Sequence, residues 1–565
     1  MRTSHLKNLI AASLISGIPA LIYLIFIPLD PSRGQLINHG VLKTILTASM
    51  GIGLILLAGG WLKLQTNEAW GMKAAARVDE MLTGKTQRLF GLRFALVISF
   101  ILLIEGYLLT WFILPIPMRP LILWMAGVSV IIRASLGAAY RGIISKRQNF
   151  RDRIKAGWQN WSGTQRKVFI ILLVLGAVYF AAFIPANFSS AMHPDEDVIY
   201  PDVVNMLIPG STFGETLRDS FIISSWWYGY PYFPLSALTL VIPRIIYGNA
   251  FASQTALNML LMRQFISVLP MAASIILLIY MVNGFKHLWS SIGMFIVLGL
   301  IPGVVHYNIR FWHPDSIIVF LVLLTIWLLK RDRLRFGRDF YLAAFTVGLN
   351  AVIKVWGLFF FLAIGGYLLA GLITKKLEFG KMIKAGLFFI MVMVGSIIIT
   401  SPSITIPWNL KTYIAELQEY YPVMRQGYDE PDPQGVYRLG LQAWMVFFRM
   451  HFMQDFYFYF ACFSLAAGSL VGTQKTLNRL ILAWCMVTGI FLVGWIAVKS
   501  FQYLLPLMIP LYGAAFLFPA IAGAQDYPKP LRFLAEPKAR LILTGIVIVL
   551  TAIQFYFNIK LFPGG

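Results

Sequence analysis

The sequence predicts an all-α polytopic membrane protein, and three observations lead there. Of 565 residues, 58% are hydrophobic and only 13% charged, with a mean hydropathy of +0.72. A soluble chain would carry about 25% charged residues. The apolar residues recur in stretches of roughly 17–22, the length a helix needs to cross a bilayer. The 47 Lys and Arg fall mostly in short runs between those stretches, as the positive-inside tendency expects of cytoplasmic loops. That placement also accounts for the net charge of +23 without a nucleic-acid partner. Both cysteines, Cys462 and Cys485, lie inside apolar stretches, so neither a disulfide framework nor a cysteine-rich metal site is expected.

Residues 1–165 read as a four-span accessory bundle, with spans at about 9–29, 41–62, 91–114 and 121–139. The first apolar run exceeds a signal-peptide core and lacks a clear cleavage site, so it is read as a retained span. The basic loops Lys63–Arg88 and Tyr140–Lys167 are placed inside. Glu105 and Arg133 fall at similar depth on neighbouring spans, where a mutual ion pair is expected.

A fifth span, 168–185, then runs outward and delivers His193-Pro194-Asp195-Glu196-Asp197 to the outer side. An aromatic run follows, Trp226-Trp227-Tyr228-Gly229-Tyr230-Pro231-Tyr232-Phe233. The piece 235–247 is short for a span and contains Pro243 and Arg244. Parity decides its placement. The basic loop Lys330–Arg338 belongs inside, and spans at 264–283, 289–306 and 316–329 already give the three crossings required. Residues 235–247 are therefore expected to lie in the interface, within the first large outer loop.

Spans at about 340–353, 355–373 and 384–400 follow, with the basic Lys375–Lys384 loop inside. An outer loop, 401–455, holds the acidic run Asp429–Asp432. Spans at about 456–472, 480–498, 502–522 and 541–562 complete a total of about 15, N-terminus in and C-terminus out. The working division is 1–165, a larger membrane module at 166–525, and a C-terminal loop with the last span at 526–565.

His-Pro-Asp occurs twice, at 193–195 and 313–315, each at a membrane-to-outside junction, in a chain with only seven histidines. Helix initiation is one reading, since Pro and Asp both suit a first turn. A single acid would suffice for that, and three stand together at 195–197. A carboxylate pair suits general-base chemistry, one group taking a proton while its neighbour orients the acceptor or tunes the first group's pKa. The other open chemistry is a divalent metal held by Asp195, Asp315, His193 and His313. Arg244, Arg263, Arg310, Lys354 and Lys499 are cations at outer ends of spans, where they could snorkel to headgroups or together hold a phosphate.

With these residues the chain resembles the GT-C superfamily of polyprenyl-phosphate-sugar-dependent glycosyltransferases, nearest the protein O-mannosyltransferase and aminoarabinose lipid A transferase branch. His193-Pro194-Asp195-Glu196 with Tyr200 is similar to that family's first-loop Asp-Glu motif. Tyr228-Gly229-Tyr230-Pro231-Tyr232-Phe233-Pro234 is similar to the Tyr/Pro-rich stretch that follows it. Asp315 resembles the second-loop acid, and Lys499 to Pro506 the late basic–Tyr–Leu–Pro run. The likeness covers roughly 166–525 and departs from the pattern at Asp197, a third acid.

The resemblance implies a GT-C-like module with Asp195 as base, supported by Glu196 and Asp315. Lys354 and Lys499 would lie near the lipid phosphate. His193, Tyr200, Tyr230, Tyr232, Arg310, His313 and Tyr503 are the remaining substrate-binding candidates. The expected activity is inverting transfer of a sugar from a polyprenyl-phosphate donor to a protein, lipid or polysaccharide acceptor, at the outer face of the cytoplasmic membrane. A transporter or flippase of lipid-linked substrates would need charges at the midplane between repeats, and the hydropathy shows no inverted repeat. A non-enzymatic membrane assembly factor would leave the acids dispensable.

Overall fold

Helices cover the spans predicted beyond residue 165, with the one at 289–306 split into two, because a helix satisfies its own N–H and C=O groups in hydrocarbon. The computed structural model describes residues 158–561 except 222, 224–227, 402–406, 428–437, 524–526 and 528, plus isolated positions between 55 and 72. The four-span bundle, the Glu105–Arg133 pair, Trp226, Trp227 and Asp429–Asp432 lie outside the described residues.

In chain order the helices are α1 Gly163–Ala182, α2 Ile184–Ser189, α3 Pro194–Asn205, α4 Phe213–Phe221, α5 Tyr232–Thr239, α6 Val241–Tyr247 and α7 Thr255–Asn283. Then follow α8 Leu288–Gly299, α9 Pro302–Arg310, α10 Asp315–Asp332, α11 Arg338–Ile353, α12 Phe359–Ile373, α13 Phe379–Thr400 and α14 Pro407–Gln426. The last are α15 Leu441–His451, α16 Asp455–Leu470, α17 Lys475–Trp495, α18 Phe501–Phe516 and α19 Pro537–Lys560. No strand occurs among the described residues.

Among the described residues, five helices are long and apolar enough to cross a membrane, or seven if each of two bent pairs counts as one span. One bent pair is α8 with α9, at 60°. The other joins α5 to the stretch Val241–Ser253 at 43°, a broken span or re-entrant loop. The piece expected to lie in the interface therefore belongs to this bent apolar pair. Helix α10 falls short of a free-standing span because Asp315, Lys330, Arg331 and Asp332 crowd its ends.

Helix α10 is the axis of the bundle, packed by α7, α11, α17 and α18. Ile318, Val322, Leu323 and Ile326 on it are wholly buried. Lipid tails are as apolar as leucine, so close packing and interhelical hydrogen bonds, not water exclusion, hold such helices together. Thr325 of α10 bonds Thr346 of α11 at 2.8 Å. Gly348 lets α11 touch α13: a Cβ there would lie 2.3 Å from the Met393 carbonyl oxygen. Outward faces, such as Ile170, Leu173, Val174 and Val178 of α1, stay exposed as lipid contact requires.

Alternation along the bundle brings chosen ends together. At one end Gln165 of α1 donates to the Gly284 carbonyl and Lys330 of α10 to the Met281 carbonyl. At the opposite end α3, α5 and the start of α7 form a second apolar cluster around Tyr200, Tyr232, Phe233, Met262 and Trp312. The acids sit over that cluster.

Candidate active site

The two His-Pro-Asp tripeptides meet at this end of the bundle. Each does begin a helix, α3 at Pro194 and α10 at Asp315. For α3 the start is a capping box: His193 Nδ1 accepts from the Asp195 N–H at 3.3 Å, and Glu196 Oε2 accepts from the His193 N–H at 2.8 Å. The cap fixes the start of the helix that carries Asp195. The His193 and His313 rings lie edge to face, 6.1 Å between centroids.

The three neighbouring acids separate by environment. Asp195 is half exposed, with Oδ2 3.8 Å from both His193 Nδ1 and His313 Nε2. Glu196 is completely buried and fully bonded. Its Oε1 accepts from Arg263 Nε at 3.1 Å and the Trp312 N–H at 2.5 Å; its Oε2 accepts from an Arg263 amino group at 2.6 Å. Arg263 in turn donates to the Ser190 and Ala191 carbonyls. A carboxylate so saturated braces the site and has no lone pair left for a substrate proton. Asp197 is exposed and contacts neither imidazole.

His313 is buried and its backbone is pinned. Tyr307 and Ser267 donate to the His313 carbonyl, Ser267 also to that of Phe311, and Tyr232 to that of Trp312 at 2.5 Å. Its Nδ1 lies 3.0 Å from Gln502 Oε1, and the Tyr228 hydroxyl lies 3.3 Å from the ring nitrogens. Burial, then Lys354 and His193, hold its pKa well below the ordinary value, so the ring is neutral near pH 7. Its Nδ1 side faces Gln502 and its Nε2 side faces Asp195.

Asp315 is buried, bonded at 2.7 Å by Lys354 through one oxygen and unpartnered at the other. The Lys354 ammonium lies 5.0 Å from the Tyr503 ring centroid and 5.7 Å from that of Tyr228. Gly229 makes this possible. Its N–H bonds the Ile353 carbonyl, and a Cβ would lie 1.4 Å from the Val352 carbonyl oxygen. The aromatic run can therefore lie directly on the end of α11 beside Lys354.

The other sequence candidates divide. Tyr200 donates to the Ala252 carbonyl and Tyr230 to that of Ser220, so with Tyr232 their hydroxyls are committed to backbone. Tyr503 faces Tyr420 at 3.3 Å between hydroxyl oxygens. Lys499 donates to the Arg438 and Ala497 carbonyls and lies over Trp444, with no ion pair to Asp195 or Asp315. Arg310, at the end of α9, is exposed. Sequence reasoning missed Gln502 and the Glu196–Arg263 brace; Gln502 lies within the late motif, but nothing in its spacing marks it as a partner of His313.

One ring nitrogen each of His193 and His313 and an Asp195 oxygen lie within 4.8 Å of one another, a donor set suited to a divalent transition metal. Gln502 behind His313 is the kind of outer partner that orients a ligating imidazole. Asp315, the fourth metal candidate, is taken by Lys354 and stands outside that group. No known family model and no curated protein matches this chain.

Proposed function

We propose that the protein is an integral membrane glycosyltransferase of the GT-C kind, acting at the extracytoplasmic face on a polyprenyl-phosphate-linked sugar. The observation that carries the reading is the convergence of both His-Pro-Asp segments on one half-exposed carboxylate, Asp195, flanked by two imidazoles and braced from below by Glu196. The acceptor hydroxyl or amine attacks the anomeric carbon as Asp195 takes its proton. The bond from that carbon to the phosphate oxygen breaks, and its electron pair leaves with the polyprenyl phosphate. One displacement inverts the anomeric centre. Asp315 and Lys354 shape the wall of the site as a neutralised pair, and Tyr228, His193 and His313 bound the acceptor space. About 15 spans in all, with residues 1–165 as an accessory bundle, complete the proposal.

Purified protein in lipid nanodiscs, supplied with polyprenyl-phosphate sugars, should transfer the sugar, and Asp195→Asn should not. Full activity in that variant would remove the base; no transfer with any donor would remove the reaction. The donor set around Asp195 supports a second reading, in which a divalent metal held there activates the phosphate. Transfer that survives exhaustive chelation would exclude it.

A further inference from the structure

The backbone is strained at the end of the bundle opposite Asp195. Among the described residues five non-glycine positions take positive φ: Phe285, Arg333, Leu334, Phe336 and Lys375. All five lie in the turns that follow α7, α10 and α12. Side chains avoid that region, and they persist in it only where the surroundings hold them. Three of the five belong to a single turn, between α10 and α11.

Asp332, buried at the end of α10, holds that turn. Its carboxylate accepts from the N–H groups of Arg335 at 3.0 Å, Phe336 at 2.9 Å and Gly337 at 2.9 Å. The Tyr367 hydroxyl of α12 lies 2.9 Å from the same carboxylate and accepts from the Leu334 N–H at 2.7 Å. Phe336 packs inward on Phe340, Tyr367 and Gly371, where any Cβ would strike its ring. Arg333 and Arg335 are left exposed on a turn of fixed shape. Lys376, from the turn after α12, donates to the Arg333 carbonyl at 3.3 Å and brings a third cation to the same place.

The neighbouring acids are committed. Asp332 serves the backbone, Asp339 pairs with Arg331 at 3.2 Å, and Glu378 pairs with Lys381 at 3.1 Å. Among the described residues Arg333, Arg335 and Lys376 form no ion pair. Like charges held this close repel, and an anion between them would gain several charge-assisted bonds. The flanking residues say which anion. Ile373 and Phe379 are exposed on either side of Lys375 and Lys376. Arg331 lies over the Trp327 ring at 4.5 Å, one turn back along α10. Exposed apolar side chains beside cations, with tryptophan at their level, mark headgroup depth in a bilayer. The anion at that depth is a lipid phosphodiester.

We propose that the Asp332 turn, with Arg333, Arg335 and Lys376, is a binding site for the headgroup of an anionic phospholipid. The site would hold lipid whether or not Asp195 transfers sugar. Full-length protein in detergent is titrated with dioleoyl-phosphatidylglycerol, and binding is read as a rise in melting temperature. Dioleoyl-phosphatidylcholine and inorganic phosphate are the comparison ligands.

Phosphatidylglycerol should stabilise wild type. The combined variant Arg333→Gln, Arg335→Gln, Lys376→Gln should need at least about tenfold more lipid for the same rise. A control that removes three charges at the starts of α17 and α19, Lys475→Gln, Lys538→Gln, Arg540→Gln, should keep the wild-type midpoint. An equal shift in that control would mean diffuse attraction and overturn the site. So would an unchanged midpoint in the first variant. An equal rise with phosphatidylcholine, or with inorganic phosphate at the same concentration, would also overturn it. Asp332→Asn separates scaffold from charge. It removes a negative charge, so diffuse attraction would tighten binding, whereas a loosened turn should weaken it. Tighter binding in Asp332→Asn would count against the site.

Discussion

Asp195 and Glu196 are adjacent in sequence and opposite in circumstance. Asp195 is half exposed and loosely held, so Asn there should lower transfer by about 10²–10⁴-fold while leaving the melting temperature unchanged. Glu196→Ala strands a wholly buried Arg263 and should cost about 3–5 kcal/mol of stability, read as a large drop in detergent melting temperature. The sequence marked the acidic cluster but could not separate its members, because burial of one acid is set by an arginine 67 residues away. His451 supplies a pH test. Burial and neighbouring His306 lower its pKa to about 4, below the unfolded value of about 6.5. The unfolded chain therefore takes up the proton first. Stability from neutral His451 is complete above about pH 6.5 and is lost as pH falls toward about 4. His451→Gln should flatten the melting-temperature profile across that window.

At the scale of elements, hydropathy located most of the apolar helices beyond residue 165, because apolar length is a one-dimensional property. It could not foresee the 43° bend within the apolar stretch that holds residues 235–247, nor the break between α8 and α9. Bends of that kind depend on what a helix packs against. Nor could it foresee which glycine matters. Gly229→Ala places a methyl carbon inside the Val352 carbonyl, so the aromatic run must lift from the end of α11. We expect loss of transfer together with a lowered melting temperature, measured on the same preparation. An unchanged melting temperature would mean that the run is not anchored there.

For the whole molecule, alternation of spans is expected to gather distant motifs at one end. Residues of α3, α7, α10, α11 and α18 do converge, through Glu196, Arg263, Asp315, Lys354 and Gln502. That convergence was legible because the order of crossings and the placement of basic loops constrain topology without knowledge of packing. The proposed sidedness rests on charge placement and has a direct test. In a background lacking Cys462 and Cys485, a cysteine at Asn249 should react with an impermeant thiol reagent added outside intact cells, and one at Lys286 should not. The opposite pattern would put the acids on the cytoplasmic side.

The Glu196 brace carries a consequence for order as distinct from content. A chain with Asp195→Glu and Glu196→Asp has the same composition, charge and local acidity. Yet Asp at 196 is one methylene short, about 1.5 Å, of the reach that joins Arg263 to the Trp312 N–H. Exchanging the two letters should therefore unfasten the second His-Pro-Asp segment from the first, a defect no count of acids would register.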